Sequence, residues 1–262
     1  MGLAILIWIL TAAVFYLCIG GMWWFPAPIS QHAFNFDTHF SRMLWVAGAI
    51  FLFAQGLLGY AILRFRDQGR PASHSEGNTR LEVVWTIVTA VVFIGFALIG
   101  NRIWASVHMD KSGDAPIKIE VLAKQFSWNF RYPGPDGKLG RTDVKFIRDS
   151  AGNPFGIDAQ DPAGRDDVIS SAIRVPRGIL VELTLRSRDV IHNFFVRELR
   201  LKQDIVPGMA IPLRFRADKE GTYEVPCSEL CGLGHHQMRT TLIVMSPEDF
   251  QNWLKDEDRK PR

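Results

Sequence analysis

Charge is spread so unevenly along this 262-residue chain that a uniform soluble globule is excluded. No Asp, Glu, Lys or Arg precedes Asp37, and most charged side chains lie beyond Arg102. Three apolar runs occupy the N-terminal part, over residues 3–24, 43–63 and 83–101. Each is close to the ~20 helical residues that cross a hydrocarbon core about 30 Å thick. Trp23, Trp24, Trp45, Tyr60, Trp85 and Trp104 sit near the ends of these runs, where amphipathic rings favour the lipid–water boundary. The first run lacks a basic leader and a clear small-residue cleavage site, so it reads as a retained membrane helix rather than a signal peptide. An anchor over residues 1–106 is expected, with two to three transmembrane helices at about 3–24, 42–64 and 81–104 in a lipid bilayer.

Between the second and third runs, Arg64, Arg66, Arg70 and Arg80 outnumber Asp67 and Glu76. The positive-inside rule makes this loop cytoplasmic, so the polar half of the chain lies on the outer side. With 30 Lys and Arg against 27 Asp and Glu, the net charge of +3 is too mild and too mixed to suggest a nucleic-acid partner.

Beyond Pro116 the pattern changes to short runs rich in Val, Ile, Thr and Leu, at residues 117–122, 172–175, 179–185, 211–215, 222–225 and 240–245. Gly, Pro and Asp separate them, which predicts an all-β sandwich or barrel over residues 107–246. Residues 133–167 read as a long solvated loop, because Asp158, Asp161, Asp166 and Asp167 match no EF-hand spacing. Ser246-Pro247-Glu248-Asp249 has the form of a helix start, giving a C-terminal helix and tail over residues 247–262.

Chemistry concentrates in residues 227–238, where Cys227, Cys231, His235 and Met238 fall between two β-like runs. His192, on an earlier strand edge, is placed to join them at one end of a sandwich. Thiolate, imidazole and thioether select copper or zinc over magnesium or calcium. A Cys227–Cys231 disulfide, or a zinc site of Cys227, Cys231, His235 and His192, fits the spacing. So does a dinuclear copper core bridged by both sulfurs, with one His per copper and Met238 and a backbone carbonyl, that of Glu229, as weak axial donors. The residues alone leave all three open. His236 is expected to face solvent, because adjacent side chains diverge.

At these positions the chain resembles subunit II of the haem–copper respiratory oxidases, the cytochrome c oxidase subunit that carries CuA. The likeness rests on Cys227-Ser-Glu-Leu-Cys231-Gly-x-Gly-His235-x-x-Met238 and on Asp189-Val-Ile-His192. Leu201-Lys-x-Asp204-x-x-Pro207-Gly208, Gly221-x-Tyr223 and the segment from Asn78 to Thr86 also fit, so that it spans roughly residues 40–250. The resemblance implies a membrane anchor with a cupredoxin-like β domain outside. It implies a dinuclear CuA centre held by His192, Cys227, the Glu229 carbonyl, Cys231, His235 and Met238. The Glu229 side chain would reach a magnesium site shared with subunit I. Haem would reside only in subunit I, since no Cys-x-x-Cys-His occurs here. Electrons from cytochrome c, or a similar donor, would pass through CuA to oxidase subunit I, where oxygen is reduced and protons are translocated. Other oxidase subunits are further implied partners. Glu82 matches the mouth of a proton pathway; read by itself it is a membrane-border carboxylate paired with Arg80. The implied location is a bacterial inner membrane with the CuA domain periplasmic.

The family often has Gln-Trp-x-Trp at the start of its barrel, the first Trp receiving the electron. Gln125-Phe126-Ser127-Trp128 puts Phe126 there, so Phe126 and Trp128 are both electron-entry candidates. Arg131 replaces an acid often found just after, and the outer half has nearly balanced charge, so a mainly apolar docking face is expected. Asp189 is a candidate support for His192 or a docking residue. The rival readings are the CuA subunit of a related nitric oxide reductase, a copper-free quinol oxidase subunit, a zinc-stabilised membrane structural or assembly protein, and a copper chaperone.

Overall fold

The computed structural model describes residues 1–19, 25–67, 69, 71, 74, 76–109 and 114–259. Trp23, Trp24 and Arg70 lie outside them. Three helices open the chain: α1 (Gly2–Ile19), α2 (Gln31–Arg64) and α3 (Thr79–His108). Among the described residues, α2 and α3 are long and apolar enough to cross a membrane, and α1 is shorter. No residue of α3 is buried, although Val83, Val84, Ile87, Val91, Phe93 and Leu98 are large and apolar. A helix that leaves so many large apolar side chains uncovered needs an apolar solvent.

Both long helices extend past the apolar runs that mark them. Ser30 Oγ accepts the Ala33 N–H at 3.2 Å ahead of α2, and Asn78 Oδ1 accepts the Leu81 N–H at 3.2 Å ahead of α3. Hydropathy reports which part of a helix faces lipid, whereas capping side chains decide where the helix begins.

The chain divides into two compact units, Met1–Phe25 with Asn35–Trp104, and Pro26–Phe34 with Ala105–Arg262. Within the second unit, Ile29 is buried and its N–H and C=O bond the Glu198 carbonyl (3.1 Å) and the Asp218 N–H (2.6 Å). His32 Nε2 lies 2.6 Å from the Leu199 carbonyl. A short stretch of the apolar N-terminal half is thereby strapped onto the β domain.

That domain holds β1 (Ile117–Lys124), β2 (Ser127–Tyr132), β3 (Val168–Ser170), β4 (Ile173–Pro176), β5 (Val181–Ser187), β6 (His192–Val196), β7 (Leu201–Ile205), β8 (Ile211–Phe215), β9 (Gly221–Pro226) and β10 (Arg239–Met245). One sheet has the order β3-β2-β1-β5-β8, and a second has β4-β10-β9. β6 pairs with β7, and a bridge between Phe194 and Cys227 ties that pair to the end of β9. Alternate residues of β5, Val181, Leu183 and Leu185, are buried, as are Ile119, Val121 and Ala123 of β1. They join Phe194, Val225, Leu242 and Val244 in one core between the sheets.

β2, β3, β6 and β7 are absent from the runs read off the sequence. Polar residues break the apolar pattern of two of them, Asn129 and Arg131 in β2 and Lys202, Gln203 and Asp204 in β7. Pairing supplies what their composition does not. β2 bonds β1 from Glu120↔Arg131 to Lys124↔Ser127, and β6 bonds β7 from His192↔Ile205 to Val196↔Leu201.

The segment 133–167 is a largely exposed loop, as its composition suggests, but an ordered one. It folds into three single helical turns at Val144–Phe146, Asp149–Ala151 and Pro162–Gly164. Asp143 and Asp161 cap the first and third by accepting backbone N–H bonds. Asp167 is buried and paired with Arg131. The C-terminal helix α4 (Pro247–Asp258) starts from Ser246, whose side chain accepts the Asp249 N–H. It packs on the domain through Trp253, whose ring lies 5.0 Å from Tyr132 and 5.0 Å from the Arg174 guanidinium.

Candidate metal centre

The loop between β9 and β10 is closed at its base by the Cys227 N–H, which donates to the Met238 carbonyl at 2.9 Å. This extends the ladder that ends at Pro226↔Arg239, so the two ends of the twelve-residue chemical cluster lie side by side. Within it, residues 235–237 make one helical turn and bring His235 back toward Cys231. His192 arrives from the start of β6, and the Ser228 N–H donates to the Asn193 carbonyl at 3.2 Å, locking that strand to the loop. Asn193 is held in turn by Asp204 on β7, Nδ2 to Oδ1 at 2.6 Å.

The donor atoms converge in an ordered way. His192 Nδ1 lies 3.8 Å from Cys227 Sγ, and His235 Nδ1 lies 3.6 Å from Cys231 Sγ. The two sulfurs are 3.9 Å apart, far beyond the ~2.05 Å of a disulfide, and both cysteines are free. The Glu229 carbonyl oxygen is 3.2 Å from Cys227 Sγ, and Met238 Sδ is 3.8 Å from Cys231 Sγ. His192, Cys227, Cys231 and Met238 are all buried, and His236 is exposed.

The ligand atoms of His192, Cys227 and Cys231 all lie within 4.8 Å of one another, and His235 is not part of that trio. The pattern is two central sulfurs, with one imidazole beside each and one weak donor beside each.

Asp189 fixes the imidazole of His192. His192 Nε2 lies 2.8 Å from Asp189 Oδ1. A carboxylate only accepts, so Nε2 carries the proton and Nδ1 is left as the metal-facing nitrogen. Burial works against charge on both groups, but each is shifted toward its ionised form. The hydrogen bonds from the Gln125 N–H and His192 hold the Asp189 carboxyl low, and those to Cys227 and Asp189 hold His192 high. Burial likewise pushes both thiols up. Hydrogen bonds with His192 and with the backbone of Asn193 and Glu229 outweigh it for Cys227, which is lowered, while the neighbouring Cys227 charge raises Cys231 further.

Phe126 lies over the loop, half-exposed at 39%, and Trp128 is buried beneath, its ring centroid 6.4 Å from that of His192 and 5.9 Å from that of Phe194. Leu230 and Leu233 project from the loop itself with 79% and 98% exposure, so the rim of the site is apolar. Gly232 has φ +132°, open to glycine almost alone, and a Cβ on Gly234 would fall 2.4 Å from Phe126 Cδ2. Gly234→Ala is expected to displace the Phe126 ring and to cost about 1–3 kcal/mol of stability, measured as a shift in denaturant midpoint. An unchanged midpoint would show that the ring moves freely.

Glu82 is exposed in the first turn of α3, and among the described residues no ion pair joins it to Arg80. Arg131 is 2% exposed and belongs to the core, so it contributes no charge to a docking face. Gln125 and Asn193 carry contacts to the ligand segments that sequence reasoning does not assign. Asp204, in the 201–208 motif, is the signal that points toward Asn193.

The family model "Cytochrome C oxidase subunit II, periplasmic domain" matches residues 117–245, and "Cytochrome C oxidase subunit II, transmembrane domain" matches residues 20–103. An alternative cytochrome c oxidase subunit 2 of Bradyrhizobium diazoefficiens is 34% identical over 256 residues, covering 97% of this chain and 90% of that protein. The cytochrome c oxidase subunit 2 of Thermostichus vulcanus is 34% identical over 284 residues, covering 95% and 84%. The crystal structure of the periplasmic domain of subunit II of cytochrome oxidase from Bradyrhizobium japonicum covers 56% of this chain and 96% of that one, at 25% identity and a TM-score of 0.41.

Proposed function

Because this chain belongs to the cytochrome c oxidase subunit II family, we propose that it is the electron-entry subunit of a terminal respiratory oxidase. It is an integral membrane protein, with α2 and α3 as its spans. The observation that carries the reading is the paired arrangement of donors, His192 with Cys227 and His235 with Cys231, around two sulfurs 3.9 Å apart. Soft sulfur and imidazole donors suit copper. In this reading His192, Cys227, the Glu229 carbonyl, Cys231, His235 and Met238 hold a dinuclear CuA centre. Such a centre, when bound, supplies a one-electron carrier whose change of charge is spread over two ions.

The residues of the chain do the rest. Asp189 keeps His192 in one tautomer and one orientation, which limits rearrangement as charge changes nearby. The buried thioether of Met238 and the Trp128 ring exclude water on the inner side. Phe126, Leu230 and Leu233 offer an apolar contact for cytochrome c or a similar donor. Lys124 and Arg188 share the one carboxylate of Asp149, so the three carry a net charge of about +1 that is partly offset there. Electrons then pass to haem in subunit I for oxygen reduction coupled to proton translocation. The Glu229 side chain would face the magnesium site shared with subunit I, and Glu82 would open a proton pathway. The positive loop after α2 supports a periplasmic β domain in a bacterial inner membrane.

The test is copper reconstitution of the full chain in detergent. Two coppers per chain, a near-infrared band and an electron-spin signal shared equally by two copper nuclei are the expected outcome. A colourless protein holding one zinc would overturn the reading.

A further inference from the structure

We propose that Gln125 is a positioning residue for the metal centre, one turn residue that ties together the two chain segments carrying its ligands. The inference rests on the reading of the site as a dinuclear copper centre and concerns a residue to which that reading assigns no part.

Gln125 and Phe126 form the connection between β1 and β2. The Gln125 side-chain amide Nε2 donates to the Cys231 carbonyl at 2.6 Å, across 106 residues of chain. The Gln125 backbone N–H donates to Asp189 Oδ2 at 2.7 Å, across 64 residues. The other oxygen of Asp189 meets His192 Nε2 at 2.8 Å. One residue therefore braces the Cys231 side of the site directly and the His192 side through a carboxylate. The turn sits flush on the loop because Gly232 has no side chain: a Cβ there would lie 2.8 Å from Gln125 Nε2 and 3.1 Å from the Phe126 ring.

Physical consequences follow from which atom is held. Anchoring the Cys231 carbonyl fixes the peptide plane between Cys231 and Gly232. That plane opens a stretch of loop with two glycines, Gly232 and Gly234, before His235. The amide thus keeps Cys231 Sγ and His235 Nδ1 in register with the half of the site that Asp189 already orients. Outer contacts of this kind set ligand direction, and their loss typically costs 10–100-fold in metal affinity. The bond is partly exposed, which places the expected effect at the lower end.

The two arms can be separated, because a side-chain substitution removes the Cys231 contact and leaves the backbone contact to Asp189. Gln125→Leu removes the donor at similar size, and Gln125→Glu keeps length and polarity while presenting an acceptor to another acceptor. Both are compared with wild-type full chain in detergent after loading with copper alone. Copper loss to a chelator is expected about tenfold faster in each variant. The spin density is expected to become unequal between the two copper nuclei, and the unfolding midpoint of the copper-free chain to stay close to wild type. A general loss of packing would lower that midpoint and leave the two nuclei equivalent, which would overturn the proposal. So would wild-type copper retention and an unchanged spectrum in both variants, with the copper reading itself intact. A wild-type chain that takes up no copper pair would instead sink the copper reading, and this proposal with it. If Gln125→Leu does not accumulate, the surface-compatible Gln125→Glu decides between these outcomes.

Discussion

A Cys227→Ser chain is expected to lose dinuclear metal binding altogether, falling from two coppers to at most one and losing its near-infrared band. Cys227 Sγ has His192 Nδ1 at 3.8 Å, the Glu229 carbonyl at 3.2 Å and Cys231 Sγ at 3.9 Å, so it touches donors on both sides of the cluster. No other side chain can replace a sulfur at that point. A serine oxygen is a harder and weaker donor than thiolate, and its shorter bond to Cβ does not reach the same place. Removal of a ligand exceeds the 10–100-fold typical of an outer contact. The fold should survive, because Cys227 N–H still closes the loop on Met238 and the Phe194 bridge is made by backbone. Copper per chain and near-infrared absorption check this directly. Retention of two coppers and the band would remove the bridging role from Cys227.

The second large effect concerns stability and lies away from the metal. Arg131→Met is expected to cost about 3–5 kcal/mol, as breaking one side of a buried ion pair does. Arg131 Nε donates to Asp167 Oδ2 at 2.9 Å, and its terminal nitrogens reach Glu120 Oε2 at 3.0 Å and the Gly140 carbonyl at 2.5 Å. Asp167 Oδ2 also accepts the Gly140 N–H at 3.1 Å. One guanidinium thus fastens β1, β2 and the long segment before β3. Its loss strands the Asp167 carboxylate in a site where burial already raises its pKa, an effect only partly offset by Arg131.

The sign of the pH dependence follows. A carboxyl whose folded pKa lies above its unfolded value binds more protons when folded. Its penalty is therefore full above the folded pKa and shrinks as pH falls through it. In Arg131→Met that pKa rises further, so the deficit should be largest near neutrality and should narrow in acid. Denaturant midpoints at several pH values measure it. The double variant Arg131→Met with Asp167→Leu should recover much of the loss, since a well-packed apolar pair replaces a buried ionic one at little cost. Equal deficits at all pH values would show that packing of the Arg131 stem, rather than the stranded charge, dominates.

Local chemistry is legible in the order of the residues alone. The candidate metal loop packs two thiols, an imidazole and a thioether into twelve consecutive residues, and the helix start at Ser246 is a four-residue pattern. The membrane hairpin is equally plain, because lipid imposes its requirement on every residue of a span. Arg131 shows the opposite case. Next to an aromatic turn it reads as a surface charge, yet its partners Asp167 and Glu120 are 36 and 11 residues away, and burial follows from meeting them. β2, β6 and β7 escape a pattern search for a related reason: polar side chains such as Arg131 and Asn193 meet partners on other strands, Glu120 and Asp204, and period-two hydrophobicity sees only one strand at a time.

The same division runs through the site. Donor identity is a property of residue types, so Cys227, Cys231, His235, Met238 and His192 announce soft-metal chemistry from composition and spacing. How those donors are apportioned is a property of three-dimensional closure. Only when β1 and β2 fold over the loop does Gln125 meet Cys231, and only when the start of β6 is bonded to the loop between Asn193 and Ser228 does His192 come beside Cys227. Short-range patterns carry chemical identity because covalent neighbours share it. Orientation is set by hydrogen bonds between segments 64 and 106 residues apart, and those exist only once the sheets have closed.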